Sequence, residues 1–230
     1  MITSFSPATR RPSLAISPRP GGLPGRGLVL AGLLLLAGCQ QAALPRLHAD
    51  HQRLQAQQAR EMQLATWQDW TLRGRLGLSD GHQGGSGSFV WIQQGDRYDF
   101  QMRKPITGGL VFRLQGGPEG ARLINGDGRE LSDPDVETLM RKVMGWTVPL
   151  RELRAWVLGA RAAGSPASLS FQPDGLPATV SQDGWQIDYP SWNHDRQPAL
   201  PHQVFASRPP YKVRLSIESW QRGTDAGQGD

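Results

Sequence analysis

Hydrolytic or metal chemistry would have to be assembled here from a small set of residues. The chain has five histidines (His48, His51, His82, His194 and His202) and a single cysteine, Cys39. His48 and His51 stand at i, i+3 in a segment of helical composition and so share a face. A metal site needs further His, Cys or carboxylate ligands at matching spacing, and none accompanies them. They read as solvated helix surface. The run Gly84-Gly85-Ser86-Gly87-Ser88 comes near the G-x-S-x-G nucleophile elbow but carries Ser88 where the last glycine belongs, and its context is a hairpin turn, not a strand-to-helix turn. A flexible turn explains it. Neither a Walker loop nor a dinucleotide fingerprint is present. The reading from these residues is of a non-enzyme, with no cofactor and no metal.

The remaining reactive group, the Cys39 thiol, ends a pattern of another kind. Arg10, Arg11, Arg19 and Arg26, with no acid among them, precede the apolar run Gly27 to Cys39. That run is too short to span a bilayer comfortably and has the flanks of a secretory signal. Its end, Leu36-Ala37-Gly38-Cys39, resembles the bacterial lipobox, so residues 1–38 are read as a lipoprotein signal peptide and Cys39 as the lipidated first residue of the mature chain. The alternative is an ordinary signal peptide in which the cysteine is incidental. Several acyl chains on one residue, at roughly 0.8 kcal/mol per buried methylene, anchor firmly. Gln40 follows the cysteine where an inner-membrane retention signal has aspartate, which implies an outer-membrane anchor with the domain facing the periplasm.

Those four arginines also carry most of the basic balance. Without them, the 25 Lys+Arg and 20 Asp+Glu of the whole chain leave a net charge of about +1, and the remaining cations are scattered, unlike a nucleic-acid footprint. Eight tryptophans against three tyrosines suit half-exposed cores, clefts and membrane edges.

Elements must position these aromatics. Residues 39–47 read as a tether, and 48–66, free of Gly and Pro, as a helix with Leu54, Met62 and Ala65 on a weak apolar face. Trp70, Leu72, Leu76 and Leu78 alternate with polar residues, as do Phe89 with Trp91 and Tyr98 with Phe100 and Met102, joined by turns at 80–85 and 94–96. This is an antiparallel meander. Lys104-Pro105-Ile106-Thr107-Gly108-Gly109 interrupts it as a loop, before strands at 110–115, 122–125 and 129–131. Ser132 can cap a helix whose apolar positions are Val136, Leu139, Met140, Val143 and Met144, ended by Gly145. A shorter helix follows Pro149, with Leu150, Leu153, Trp156 and Val157 apolar. Strands return at 169–171, at 178–189 around an Asp183-Gly184 turn with Trp185, Ile187 and Tyr189 on one face, and at 202–220 with Val213, Leu215 and Ile217 on one face. Residues 222–230 read as a frayed tail. The fold class is mainly β: roughly nine to eleven short antiparallel strands curved around a two-helix insertion, in one domain spanning 48–221.

Three stretches in order resemble the outer-membrane lipoprotein receptor family, LolB. They are Trp70-Thr71-Leu72-Arg73-Gly74-Arg75-Leu76, then Phe89-Val90-Trp91 with Arg97-Tyr98, then Gly145-Trp146-Thr147-Val148-Pro149-Leu150 through Leu153 and Trp156 to Gly159. The resemblance implies an incomplete antiparallel β-barrel whose helices cover an apolar cavity for the acyl chains of triacylated lipoproteins. It implies three partners, these lipoproteins, a soluble LolA-like periplasmic carrier and outer-membrane lipid, for a receptor expected to act as a monomer. The expected lining is Trp70, Leu72, Leu76, Phe89, Trp91, Tyr98 and Phe100 from the meander. Val148, Leu153 and Trp156 add to it from the helix segment, and Ile187, Val213 and Leu215 from the later strands. Ile106 matches the family's exposed apolar residue after a proline, in a protruding loop at the cavity mouth that delivers lipid to the membrane; Thr107 departs from the usual proline-hydrophobic-glycine pattern. The alternative is a structural or assembly envelope lipoprotein that docks a protein partner and has no lipid cavity.

Overall fold

The computed structural model describes residues 45–223; the signal segment, Cys39 and most of the expected tail lie outside the described residues. A short strand β1 (Leu47–His48) and helix α1 (His51–Ala65) lead into a meander of β2 (Asp69–Ser79), β3 (Gly84–Gln94), β4 (Arg97–Arg103), β5 (Leu110–Gly117), β6 (Gly120–Asn125) and β7 (Glu130–Asp133). Helices α2 (Val136–Met144) and α3 (Leu150–Trp156) interrupt the strands. Then come β8 (Ala167–Phe171), β9 (Pro177–Gln182), β10 (Trp185–Asp188), β11 (Trp192–Asn193), β12 (Leu200–Pro201), β13 (Gln203–Arg208) and β14 (Tyr211–Arg222).

Twelve of the strands form one sheet in the order β1-β8-β9-β10-β13-β14-β2-β3-β4-β5-β6-β7, every neighbour antiparallel. Pairing of β14 with β2 joins the last described strand to the first long one, so both halves of the sequence meet in mid-sheet. The ends of the order, β1 and β7, do not pair with each other, and the barrel stays open. Asp183 and Gly184 both take positive φ, 52° and 75°, as the tight β9–β10 turn requires. Among the described residues the ladders and the buried apolar side chains run from Leu47 to Arg222, and this part of the chain carries a core of its own.

Period 2 explains most of the inward face. On β14 it runs through Val213, Leu215 and Ile217, after which a register shift between Ile217 and Ser219 changes parity and turns Trp220 inward. A bulge of this kind moves the side-chain alternation by one residue. The turn after β2 is also tighter than the composition predicts, since Gly84 and Gly85 already pair with Ser79 and Leu78 in the β2–β3 ladder.

Helix α2 differs in its start. Ser132 lies in β7, and the cap is Asp135, whose carboxylate accepts from the Thr138 N–H at 2.8 Å. Gly145 at φ 77° closes the helix in the left-handed region, where glycine avoids a steric cost. Val136, Leu139 and Met140 are buried, while Val143 is turned partly to solvent.

Helix α1 is corrected more substantially. Leu54 and Met62 are exposed and the buried residues are Gln57 and Leu64, because the helix is docked mainly through polar contacts. Arg60 donates to the carbonyls of Leu158 (2.8 Å), Gly159 (2.8 Å) and Ala199 (2.7 Å), and its guanidinium stands 4.8 Å from the Trp192 ring centre. Gln57 donates to Gly159 O at 3.0 Å. The Leu158 and Gly159 carbonyls sit just past the end of α3, where orphan acceptors attract cations, and that of Ala199 immediately precedes β12. Burial lowers the Arg60 guanidinium to about 10, against opposing pulls from Tyr189 and Glu61. Gly159 has φ 71° and its backbone lies against the Trp192 ring, leaving no room for a side chain.

The neighbouring Glu61 receives the Arg161 guanidinium at 2.6 and 3.1 Å and the Arg161 N–H at 3.0 Å. Burial pushes this carboxyl up, but the hydrogen bonds from Arg161 and Gln57 outweigh it and hold it below its ordinary 4.5. A carboxyl whose folded value is depressed stabilises the fold above its unfolded value and loses that contribution as pH falls through the folded one. Glu61→Gln is therefore expected to flatten the loss of urea-unfolding stability below about pH 4.5. An unchanged acid slope would mean that the pair contributes nothing.

Candidate functional site

The concave face of the sheet carries a continuous row of aromatic rings. Trp220 packs edge-on against Trp70 with centroids 5.3 Å apart, Trp70 lies 5.2 Å from Trp91, and Trp91 lies 5.8 Å from Phe100. Phe100 is stacked between Phe89 (5.5 Å) and Phe112 (5.8 Å). The row crosses β14, β2, β3, β4 and β5 because each ring occupies an inward position and the ladders set these positions side by side. Cross-strand aromatic pairs at such spacings add to sheet stability beyond their area.

Helices α2 and α3 lie over this face. Between them and the ends of β3 and β4 is a cavity of about 340 Å³. Its wall is formed by Trp91, Tyr98, Phe100, Val136 and Leu150, and its rim by Asp96, Pro118, Pro134, Arg151 and Arg154. The one amide in the wall is fully occupied: Gln93 accepts from Trp91 Nε1 at 3.2 Å and donates to the carbonyls of Gly95 (2.8 Å) and Arg97 (3.0 Å). A satisfied amide leaves the space apolar in effect. Rim charges are paired, Arg154 with Asp96 at 3.3 Å and Arg151 with Asp135 at 3.7 Å. A larger hollow of about 860 Å³ lies mostly on the outer face, but its lining includes Arg97, Asp99, Glu119, Arg122 and Asp133, and it is a charged surface groove. Of these two, only the smaller has a mainly apolar wall.

Of the residues expected to line a cavity, Trp91, Tyr98 and Phe100 border this one. Trp70, Leu72, Leu76, Phe89, Val213 and Leu215 are buried on the same concave face, and Val148 and Leu153 are buried beneath the helices. Trp156 and Ile187 are fully buried, Trp156 donating its indole N–H to Gln182 at 3.1 Å and facing Trp185 at 6.1 Å. Val136 and Leu150 are apolar helix positions in the sequence but not part of the lining expected from it, nor are the rim arginines, although Leu150, Arg151 and Arg154 all lie in the Gly145–Gly159 stretch. Tyr98 has a special place. Its ring lies on the backbone of Gly116, where any Cβ would overlap it. Burial pushes its phenol up to about 12, with Arg151 pulling it down and Asp135 pushing it up. The hydroxyl therefore lies near the charged groups that begin α2 and α3.

Ile106 is 97% exposed, and its loop is tightly closed. Lys104 N–H donates to Gly109 O at 2.8 Å, Gly108 N–H to Lys104 O at 3.1 Å, and the Arg103 guanidinium to Gly108 O at 3.1 Å. The loop follows Arg103 whereas the rim residue Asp96 precedes Arg97, so the two stand at opposite ends of β4, roughly 20 Å apart. It is not on the rim of the 340 Å³ cavity.

An open antiparallel half-barrel, its concave aromatic face capped by helices around an apolar cavity, defines a class of protein built to enclose an apolar ligand. The model of the family described as "Outer membrane lipoprotein LolB" matches residues 68–220, and this chain belongs to that family. It is 35% identical over 202 residues to the outer-membrane lipoprotein LolB of Xanthomonas axonopodis pv. citri, covering 84% of this chain and 93% of that protein. It is 34% identical over 197 residues to that of Nitrosococcus oceani, covering 85% and 96%. The crystal structure of a LolA superfamily protein from Nitrosomonas europaea aligns with TM-score 0.44 at 5% identity, over 74% of this chain and 93% of that one, a likeness too distant to bear on function.

Proposed function

We propose that this protein is an outer-membrane lipoprotein receptor that takes the acyl chains of lipoproteins from a soluble, LolA-like periplasmic carrier and passes them to the outer membrane. The observation that carries the reading is the apolar cavity walled by Trp91, Phe100, Val136 and Leu150 within the family fold. Exposing one acyl chain to water costs on the order of 10 kcal/mol, at roughly 0.8 kcal/mol per methylene. A free intermediate is therefore too costly, and transfer has to run from cavity to cavity. Such an exchange is non-enzymatic and needs no nucleotide, only a difference in affinity, and a monomer suffices for it.

Lipid on Cys39 holds the domain at its target. β1 pairs with the edge of β8 and Arg46 meets Asp188 at 3.1 Å, so the chain is held to the sheet from Arg46 onward. The seven residues from Gln40 span at most about 25 Å, which keeps the half-barrel close to the bilayer. The test is transfer itself: Leu44–Asp230, which lacks Cys39, is incubated with a carrier-bound lipoprotein. Failure of the passenger to move would defeat the receptor reading.

Membrane contact is assigned to the 104–109 loop, where Ile106 is flanked by the cations Arg103 and Lys104. Apolar and basic groups together favour an anionic lipid surface. Ile106→Glu is expected to leave uptake from the carrier unchanged and to slow delivery into vesicles several-fold. Equal effects on both steps would remove the loop from the delivery step.

A further inference from the structure

The cavity of about 340 Å³ is smaller than its proposed cargo. A methylene takes about the 30 Å³ of a water molecule, so the space holds roughly eleven methylenes, less than one long acyl chain. The polypeptide joined to the chains cannot pass the rim and has to stay in water. To take a whole chain, the cavity has to widen through a wall that moves.

The sheet cannot supply that wall without breaking ladders, and Trp91, Phe89, Phe100 and Phe112 are locked ring on ring. Tyr98 is different in three respects. It is half-buried, and among the described residues its hydroxyl makes no hydrogen bond. It borders both the inner cavity and the charged outer groove, which otherwise share only Gly117, Gly120 and Pro134. Its ring also rests on a residue with no side chain, Gly116, at the mouth of a turn that continues Gly117-Pro118-Glu119-Gly120. Nothing but packing holds it in place.

We propose that Tyr98 is the movable partition of the lipid site: swung off Gly116, it opens the apolar cavity sideways into the outer groove, so that an acyl chain enters laterally while the attached polypeptide stays in water. Gly116 is then the seat that allows the partition to close. The inference deepens the receptor reading and rests on it. It assigns to Tyr98 control over how fast chains enter, beyond its share of the apolar wall.

The test uses Leu44–Asp230 and cis-parinaric acid, a fluorescent long-chain fatty acid, with association followed by stopped flow. Tyr98→Ala is expected to raise the association rate roughly fivefold or more, as removal of a conformational step does. Tyr98→Phe, which keeps the ring that forms the partition and removes only the unpartnered hydroxyl, should fall well short of the Tyr98→Ala rate. Gly116→Ala, which displaces the ring, should behave like Tyr98→Ala; if it fails to fold, the two Tyr98 variants carry the test alone. An association rate unchanged in Tyr98→Ala, or raised equally in Tyr98→Phe, would overturn the partition while leaving the receptor reading intact. Absence of binding by the wild-type protein, together with no uptake from the carrier, would remove the cavity reading and the partition with it.

Discussion

Leu150→Glu should leave the fold intact and weaken acyl-chain binding by about a hundredfold, which corresponds to about 3 kcal/mol. The two halves of that expectation have separate causes. Leu150 is the first residue of α3, and the preceding Pro149 contributes no side-chain cap. An acid in the first turn of a helix is favoured by the unsatisfied N–H groups there, and Arg154, four residues on, lies on the same rim. Leu150 is also only half-buried, so in the empty protein the new carboxylate keeps its water. A chain packed against it has to strip that water, and Arg154, already paired with Asp96, does not replace it in full. Fluorescence titration with a long-chain fatty acid measures the loss, and thermal unfolding measures the fold. Leu150→Met, which keeps an apolar group of similar volume, should bind like the wild type. Binding by Leu150→Glu within twofold of wild type would show that chains do not pass this wall.

Arg60→Met should have the largest effect on stability. The substitution keeps an apolar stem and removes the guanidinium that serves the carbonyls of Leu158, Gly159 and Ala199. Gln57 still reaches Gly159, but the other two lose this donor, and buried acceptors without partners cost about 1–3 kcal/mol each. A total loss of about 3 kcal/mol corresponds to a fall of roughly 6–12 °C in Tm for a domain of this size. Because Arg60 links α1 to the end of α3 and to β12, the first region to lose hydrogen-exchange protection should be α1. A loss below about 0.5 kcal/mol would mean that water replaces the guanidinium at no cost, and that α1 is held by Leu64 and the Glu61–Arg161 pair instead.

Both predictions depend on placements that a linear reading cannot supply. Period 2 and period 3.6 were enough to identify the long strands and α2, since a half-buried strand or helix writes its buried face into its sequence. The same logic misread α1. A helix docked by Gln57 and Arg60 onto carbonyls, and by Glu61 onto Arg161, all about a hundred or more residues away, shows no apolar stripe, and nothing local marks those partners. The inward turn of Trp220 was hidden for a related reason: a bulge is a property of two paired strands, so the register shift has no signature in β14 alone. The two-residue strands β1, β11 and β12 exist only because a partner is present.

For the site, the chain's own order of residues determined which groups are apolar and on which elements they lie. Trp91, Tyr98 and Phe100 were readable as one-sided strand residues, and Leu150 to Trp156 as a helix after Pro149. Sequence also determined, through Leu-Ala-Gly-Cys and the family motifs, what kind of protein to expect. Only the tertiary structure decided which of many buried aromatics border empty space and which fill the core, because a cavity is the volume left over when several elements fail to meet. It also decided that Tyr98 rests on Gly116, a contact set by the β4–β5 register, and that Ile106 stands at the far end of β4 from the rim. Burial and alternation are local consequences of hydrophobicity along one strand, whereas a void, a partition and the distance between them depend on how separate strands and helices are placed together.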